Sequence, residues 1–259
     1  MKKEEATWIN HPNLLEGMTS ISALLNTPVS INDRKILRVQ IDESKRRTKS
    51  AEIGFLLAKS KELNFPVEFV SAEVIDQIAA GNSHGGIIAF CTERNYLNLS
   101  AEFIAQNGFY VYLEGIEDPY NFGNAVRSLY AAGVDGIVIP PRNWMSAAGV
   151  VAKASAGTSE RLPIYVADSN EVAPIFHSLG YQVLCAGIRD SVSVFEMSIS
   201  YPVLLVIGGE KRGISRCILN EADQILRIDY GRDFRGSLTA AASASILAFE
   251  IMRKNMIKH

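Results

Sequence analysis

Residues 109–139 read FYVYLEGIEDPYNFGNAVRSLYAAGVDGIVI. Two short apolar runs, one opening the stretch at Phe109 and one closing it at Ile139, flank a turn and a short helical segment. The runs are too short for helices and do not alternate, the pattern of strands covered on both faces of a parallel sheet. The spacing predicts strand, turn, helix and strand, with Asp118-Pro119 as the turn and Asn121, Gly123 and Asn124 at the helix start. Arg127 then falls about one turn inside. A cation there opposes the helix dipole, which points to a ligand-directed role; a solvated arginine behind an ordinary Asn/Gly cap is the plainer alternative.

Outward from this stretch the alternation continues in both directions. Towards the N-terminus, the pattern predicts a helix over 14–25, a strand over 35–41, and a helix over 44–63 whose inner side carries Ile53, Leu56, Leu57 and Ala58. A strand over 66–70, a helix capped by Ser71 with Ile75 and Ile78 inward, and a strand over 87–91 follow. Residues 93–107 break the rhythm and read as a linker with a short helix after Ser100. Towards the C-terminus, helices are expected over 147–154, 171–179 and 237–254, and strands over 162–166, 182–186, 204–207 and 224–228. The organisation expected is therefore α/β: a domain over 1–92, a linker over 93–107 and a mostly parallel-sheet domain over 108–259.

Composition narrows the function classes. The chain has 259 residues, 47% of them hydrophobic, and a formal net charge of −2, so no global positive field marks it for nucleic acid. Residues 33–49, however, hold seven basic side chains (Arg34, Lys35, Arg38, Lys45, Arg46, Arg47, Lys49) against three acidic ones, a local cluster able to meet a phosphate backbone or simply to solvate a helix start. Cys91, Cys185 and Cys217 are odd in number and widely spaced, which fits a reducing cytoplasm better than a disulfide framework. The four histidines show no metal-ligand spacing. The opening MKKEEATWINHP lacks the apolar core of a secretion leader, and no apolar run approaches the ~20 residues of a membrane span.

Ligands of open parallel sheets bind at the carboxyl ends of strands, and two further strand ends carry unusual residues. After 204–207 comes Gly208-Gly209-Glu210-Lys211-Arg212-Gly213-Ile214-Ser215. It has the glycine spacing of a phosphate loop, but Ile214 stands where the lysine should be and Glu210 would repel a triphosphate. No GxGxxG follows a strand, which argues against a dinucleotide enzyme. After 224–228, an irregular segment leads to Gly236-Ser237-Leu238-Thr239 and a run of Ala and Ser, with Ser237 the expected N-cap of the last helix.

Together the three segments resemble the SpoU/TrmH family of RNA 2′-O-ribose methyltransferases. Asn121, Gly123, Asn124 and Arg127 match its first motif, Gly208, Glu210 and Gly213 its second, and Ile228, Gly231, Ser237 and Leu238 its third. Residues 153–163 resemble its intermediate segment, and residues 14–92 resemble the L30e-like RNA-binding domain often fused upstream. Two positions depart from the pattern: Asp229 replaces a proline and Thr239 an asparagine, while Gly209 stands where asparagine is frequent. The resemblance implies a trefoil-knotted domain, a homodimer and S-adenosylmethionine held by Gly208, Gly209, Gly213, Ile228, Gly231, Ser237, Leu238 and Thr239. It further implies catalysis by Arg127, with Asn121 shaping the turn and Glu210 positioning Arg127 or a substrate hydroxyl. RNA contacts are expected from Arg46, Arg47 and Lys49, with ribosomal RNA favoured over transfer RNA. The alternative is an RNA-binding homologue that the altered third motif has left weakly active or inactive.

Overall fold

The computed structural model describes residues 11–141 and 147–256; residues 1–10, most of the opening stretch read above for a secretion leader, lie outside them. The described residues cluster into two units, the first of residues 11–95 and 147–161, the second of 96–141 and 162–256.

The first unit opens with β1 (Leu14–Glu16) and α1 (Met18–Leu25). The single helix expected from Leu14 is thus two elements. Gly17, at φ 81°, breaks the helical path, and Leu14–Glu16 pair antiparallel with Ile88–Phe90. β2 (Ile36–Asp42), α2 (Ser50–Leu63), β3 (Val67–Val70), α3 (Ala72–Ile78) and β4 (Ile87–Cys91) follow. Ile53 and Leu56 face the core as expected, whereas Leu57 is exposed. Residues 43–45 form only a 3-10 turn, so α2 starts six residues later than expected from Ser44. The sheet runs β1-β4-β2-β3, and only β2 and β3 are parallel.

The second unit takes over at β5 (Leu97–Asn98), a two-residue strand inside the expected linker. Next come β6 (Phe109–Leu113), α4 (Pro119–Ala131) and β7 (Gly136–Ile139). The chain then returns to the first unit for α5 (Ala148–Ala154) and α6 (Thr158–Arg161), residues that the sequence reading assigned to the 108–259 domain. What holds them there is a buried polar network. Arg34 donates to both carboxylate oxygens of Glu160 (3.1 and 3.2 Å), to Asn13 (2.7 Å) and to the Thr92 carbonyl (3.1 Å). Asn32 donates to the same Glu160 carboxylate, and Arg94 to the Ser159 carbonyl. Arg34 is therefore no part of the basic surface cluster, because its charge is consumed inside the unit.

The chain completes the second unit with β8 (Ile164–Val166), α7 (Ser169–Ser178), β9 (Gln182–Ala186), β10 (Val192–Ser193), β11 (Val203–Ile207), α8 (Arg216–Asn220), β12 (Gln224–Arg227) and α9 (Ala240–Met256). Its sheet runs β10-β12-β9-β11-β6-β7-β8-β5 with every pairing parallel. All of β6 is buried because both sheet faces are covered. Tyr110 and Tyr112 join Val172 and Phe176 of α7 and Ile218 of α8 in one core, while α4 and α9 pack against each other and α9 against β11. From β6 the chain first builds outward through β7 and β8, then crosses to the far side, with β11 next to β6. The loops after β6 and β11 are consequently neighbours at a reversal of strand order, the place where ligands bind in such sheets.

Candidate functional site

α4 begins one turn earlier than the sequence suggests. Asp118 is its N-cap, accepting from the Asn121 N–H at 2.8 Å, and Pro119 takes the first helical position, where a missing N–H costs nothing. Asn121 lies in the first turn, and Arg127 sits about two turns in, beyond the reach of the terminal dipole. The dipole argument for Arg127 therefore does not hold. Arg127 is exposed, and no hydrogen bond or ion pair joins its side chain to another described residue.

The second motif is a tight loop at the end of β11. Gly209 and Gly213 pair across it, with the Gly213 N–H donating to the Gly209 carbonyl at 2.9 Å. Gly213 has φ 64°, which suits glycine. The Gly209 backbone lies directly against that of Gly115: a Cβ at Gly209 would stand 2.0 Å from the Gly115 oxygen. Glu210 projects from the loop and is exposed, and Lys211 reaches Glu117 of the turn after β6 at 3.0 Å.

The third motif is irregular from Ile228 to Thr239. α9 starts at Ala240, so its cap is Thr239 rather than Ser237: the Thr239 hydroxyl accepts from the Ala242 N–H at 3.2 Å. Asp229 accepts from Arg227 Nε at 2.7 Å, and Arg227 also donates to the Ser191 carbonyl. A hydrogen bond from Ser193, with Arg227 beside it, holds the Asp229 carboxyl below the usual carboxylate range. The charge that replaces the proline is thus matched locally. Tyr230 and Phe234 stack edge to face within the segment, 5.6 Å between centroids.

These loops enclose a cleft of about 640 Å³ at the carboxyl ends of β9, β11 and β12, with the start of α9 as a further wall. Gly208, Gly209, Glu210, Gly213, Ile228, Ser237 and Leu238 all line it. Gly231 lines an adjoining hollow, and Thr239, Asn121 and Arg127 are absent from the lining. Sequence reasoning missed the end of β9, where Ala186 to Arg189 form one side; a Gly-Ile-Arg run directly after an apolar strand was the available signal. In the first unit, Arg46 lies 3.6 Å over the Phe69 ring and also 3.6 Å from Glu43, Lys49 pairs with Glu52, and Arg47 is exposed. Among the described residues no cluster of His, Cys, Asp and Glu could hold a metal ion, and no helix is long and apolar enough to cross a membrane.

Known proteins are similar to this chain in sequence and in fold. A TrmH family tRNA/rRNA methyltransferase, so named, from Staphylococcus haemolyticus is 28% identical over 230 residues, covering 86% of this chain and 90% of its own. A similarly named Bacillus subtilis protein is 27% identical over 229 residues, covering 86% and 90%. The AdoMet-bound rRNA methyltransferase of Sinorhizobium meliloti has the same fold, with a TM-score of 0.76 at 24% identity over 93% of this chain and 86% of that one. Residues 14–97 match the model for RNA 2′-O ribose methyltransferase substrate binding, and residues 108–249 match that for the SpoU rRNA Methylase family. With more than half of its length so matched, the chain belongs to the SpoU family of RNA methyltransferases.

Proposed function

We propose that this chain methylates a ribose 2′-hydroxyl of RNA with S-adenosylmethionine as donor. The carrying observation is the single cleft into which the second and third motifs converge from separate strand ends. Its volume falls in the range of small-ligand sites, ~300–1,000 Å³. Ile207, Ile214, Ile228, Leu238 and Leu247 offer apolar walls for a base, while the glycine-rich ends of β9 and β11 bring backbone groups close. Asp229 and Glu210 at the same cleft suit a positively charged ligand with free hydroxyls. When bound there, the donor supplies a methyl group already activated as a sulfonium.

The protein then has to align the hydroxyl and assist loss of its proton. Arg127 is the residue for that task. A guanidinium holds its proton too tightly to act as a free base, so its role is to bind the adjoining phosphate and stabilise the charge developing on the attacking oxygen. Asn121 shapes the start of the same helix, and Glu210 orients Arg127 or a substrate hydroxyl. Replacing Arg127 with Ala is expected to abolish methyl transfer while calorimetric binding of S-adenosylmethionine stays near wild type; near-normal transfer by that variant would refute its role.

RNA is held chiefly through the first unit by Arg46, Arg47 and Lys49. Neutralising Arg46 and Arg47 should weaken RNA binding and flatten its dependence on salt, read by fluorescence anisotropy at several ionic strengths. An unchanged affinity would move the RNA face elsewhere. The pairing of the two matched regions favours ribosomal over transfer RNA as substrate, and mapping 2′-O-methyl sites in cellular RNA with and without the gene decides between them. An RNA substrate and three free thiols favour the cytoplasm. A homodimer is supported by Tyr120 and Tyr130 of α4 and Phe249 and Met256 of α9, large apolar side chains exposed on two helices that pack together.

One observation favours the weakly active alternative. The Thr239 hydroxyl, standing where the family has a carboxamide, is already engaged in capping α9. Tight S-adenosylmethionine binding without turnover on any RNA would support that reading.

A further inference from the structure

Glu114 follows directly on β6 and, although a carboxylate, is only 8% exposed. Its backbone N–H donates to the carbonyl of Ile207, the last residue of β11, at 2.9 Å. Its side-chain Oε2 accepts from the backbone N–H of Ser215 at 2.8 Å. Ile207 and Ser215 are the residues that immediately precede and follow the Gly208–Ile214 loop. One residue thus grips both ends of the loop, while its neighbour Gly115 packs against the loop's start at Gly209. The other carboxylate oxygen accepts from Ser169 Oγ at 2.7 Å, and Ser169 in turn lies 2.9 Å from the Tyr112 hydroxyl. That second hand ties Glu114 to the first residue of α7, so the carboxylate swings away from Ser215 only by breaking a second, part-buried hydrogen bond.

We propose that Glu114 is a positioning residue for the donor site, fixing the span of the Gly208–Ile214 loop so that its backbone is preformed for the ligand. The proposal rests on the reading that S-adenosylmethionine occupies the adjoining cleft. A loop with three glycines in seven residues has much conformational freedom to lose on binding. Closing it in advance through Glu114 lowers that cost, and the benefit appears as donor affinity.

Calorimetry with S-adenosylmethionine on the full-length chain tests this. Glu114→Ala is expected to weaken binding about tenfold or more, the loss typical of a buried hydrogen bond to a charged group. Ser215→Pro removes the same N–H at a residue whose φ of −64° proline can adopt, and should weaken binding to a similar degree. Ser215→Ala keeps the N–H and should bind like wild type, whereas Ser169→Ala, which removes only the second hand, should lose clearly less affinity than Glu114→Ala. Glu114→Gln should restore much of the affinity, since its carbonyl oxygen can face Ser215. Combining Glu114→Ala with Ser215→Pro should be little worse than either alone. In methyl-transfer assays the variants should raise KM for the donor with kcat largely kept. Should Glu114→Ala not fold, Glu114→Gln and Ser215→Pro carry the comparison. Wild-type affinity in Ser215→Pro, or an equal loss in Ser169→Ala, would overturn the proposal while leaving the donor site intact. No binding by the wild-type chain would overturn both.

Discussion

Arg34–Glu160 in the first unit and Arg227–Asp229 in the second are both short arginine–carboxylate contacts, 3.1 and 2.7 Å, but their surroundings differ completely. The side chains of the first pair are 1% and 4% exposed, those of the second 37% and 43%. Arg34 and Glu160 are also separated by 126 positions in the chain, whereas Arg227 and Asp229 are two apart. Burial removes water as a competitor, so every donor and acceptor of the sealed pair must find a partner: Thr92 and Asn13 accept from Arg34, and Asn32 donates to Glu160. At the open pair water can replace either partner. A sealed pair therefore commits distant segments to one arrangement, while an open one trims the rim of a cleft that must admit a ligand.

Breaking the sealed pair should have the largest effect. Glu160→Ala leaves the Arg34 charge buried and unpaired, at an expected cost of about 3–5 kcal/mol in denaturant unfolding. A paired replacement, Arg34→Met with Glu160→Leu, should recover most of it; a loss below about 1 kcal/mol for Glu160→Ala would mean that the interior relaxes to admit water. The floor of the cleft comes next. Gly209→Asn, which installs the residue frequent in the family, drives a Cβ into the Gly115 backbone and should cost about 1–3 kcal/mol, with weaker S-adenosylmethionine binding. Asparagine tolerated there without loss would show that the turn after β6 yields readily. The smallest effect belongs to the rim: Asp229→Asn should leave the unfolding midpoint unchanged, and a clear shift would erase the contrast between the two pairs.

What could be read from the sequence follows the same division between local and distant. β4 and β9 have the expected limits because continuous apolar runs between polar residues define buried strands by themselves. Leu14–Glu16 was misread as helix because its apolar residues continue into those of α1 without a gap, and only the conformation of Gly17 separates them. α6 and α8 are too short to show a period. In the candidate site, the glycine loop could be found from spacing, since backbone-lined sites leave small residues at strand ends, whereas Leu238 was reached only through the family resemblance. Glu114 could not, because a single acidic residue after a strand looks like an ordinary exit to solvent. Arg34 was misassigned to the surface for a similar reason: its partner Glu160 stands too far along the chain for any local pattern to reveal.

The return of residues 147–161 to the first unit also bears on how the protein is made. Domains emerging from a ribosome usually fold in order, N-terminal first. Here the first unit lacks Ser159 and Glu160 until all of β6, α4 and β7 has been synthesised, so Arg34 and Arg94 hold only part of their partners before then. Its folding carries a long loop closure, which slows the search for native contacts. A nascent chain halted before residue 161 would hold an incomplete first unit, which closes only after the opening strands of the second have been made.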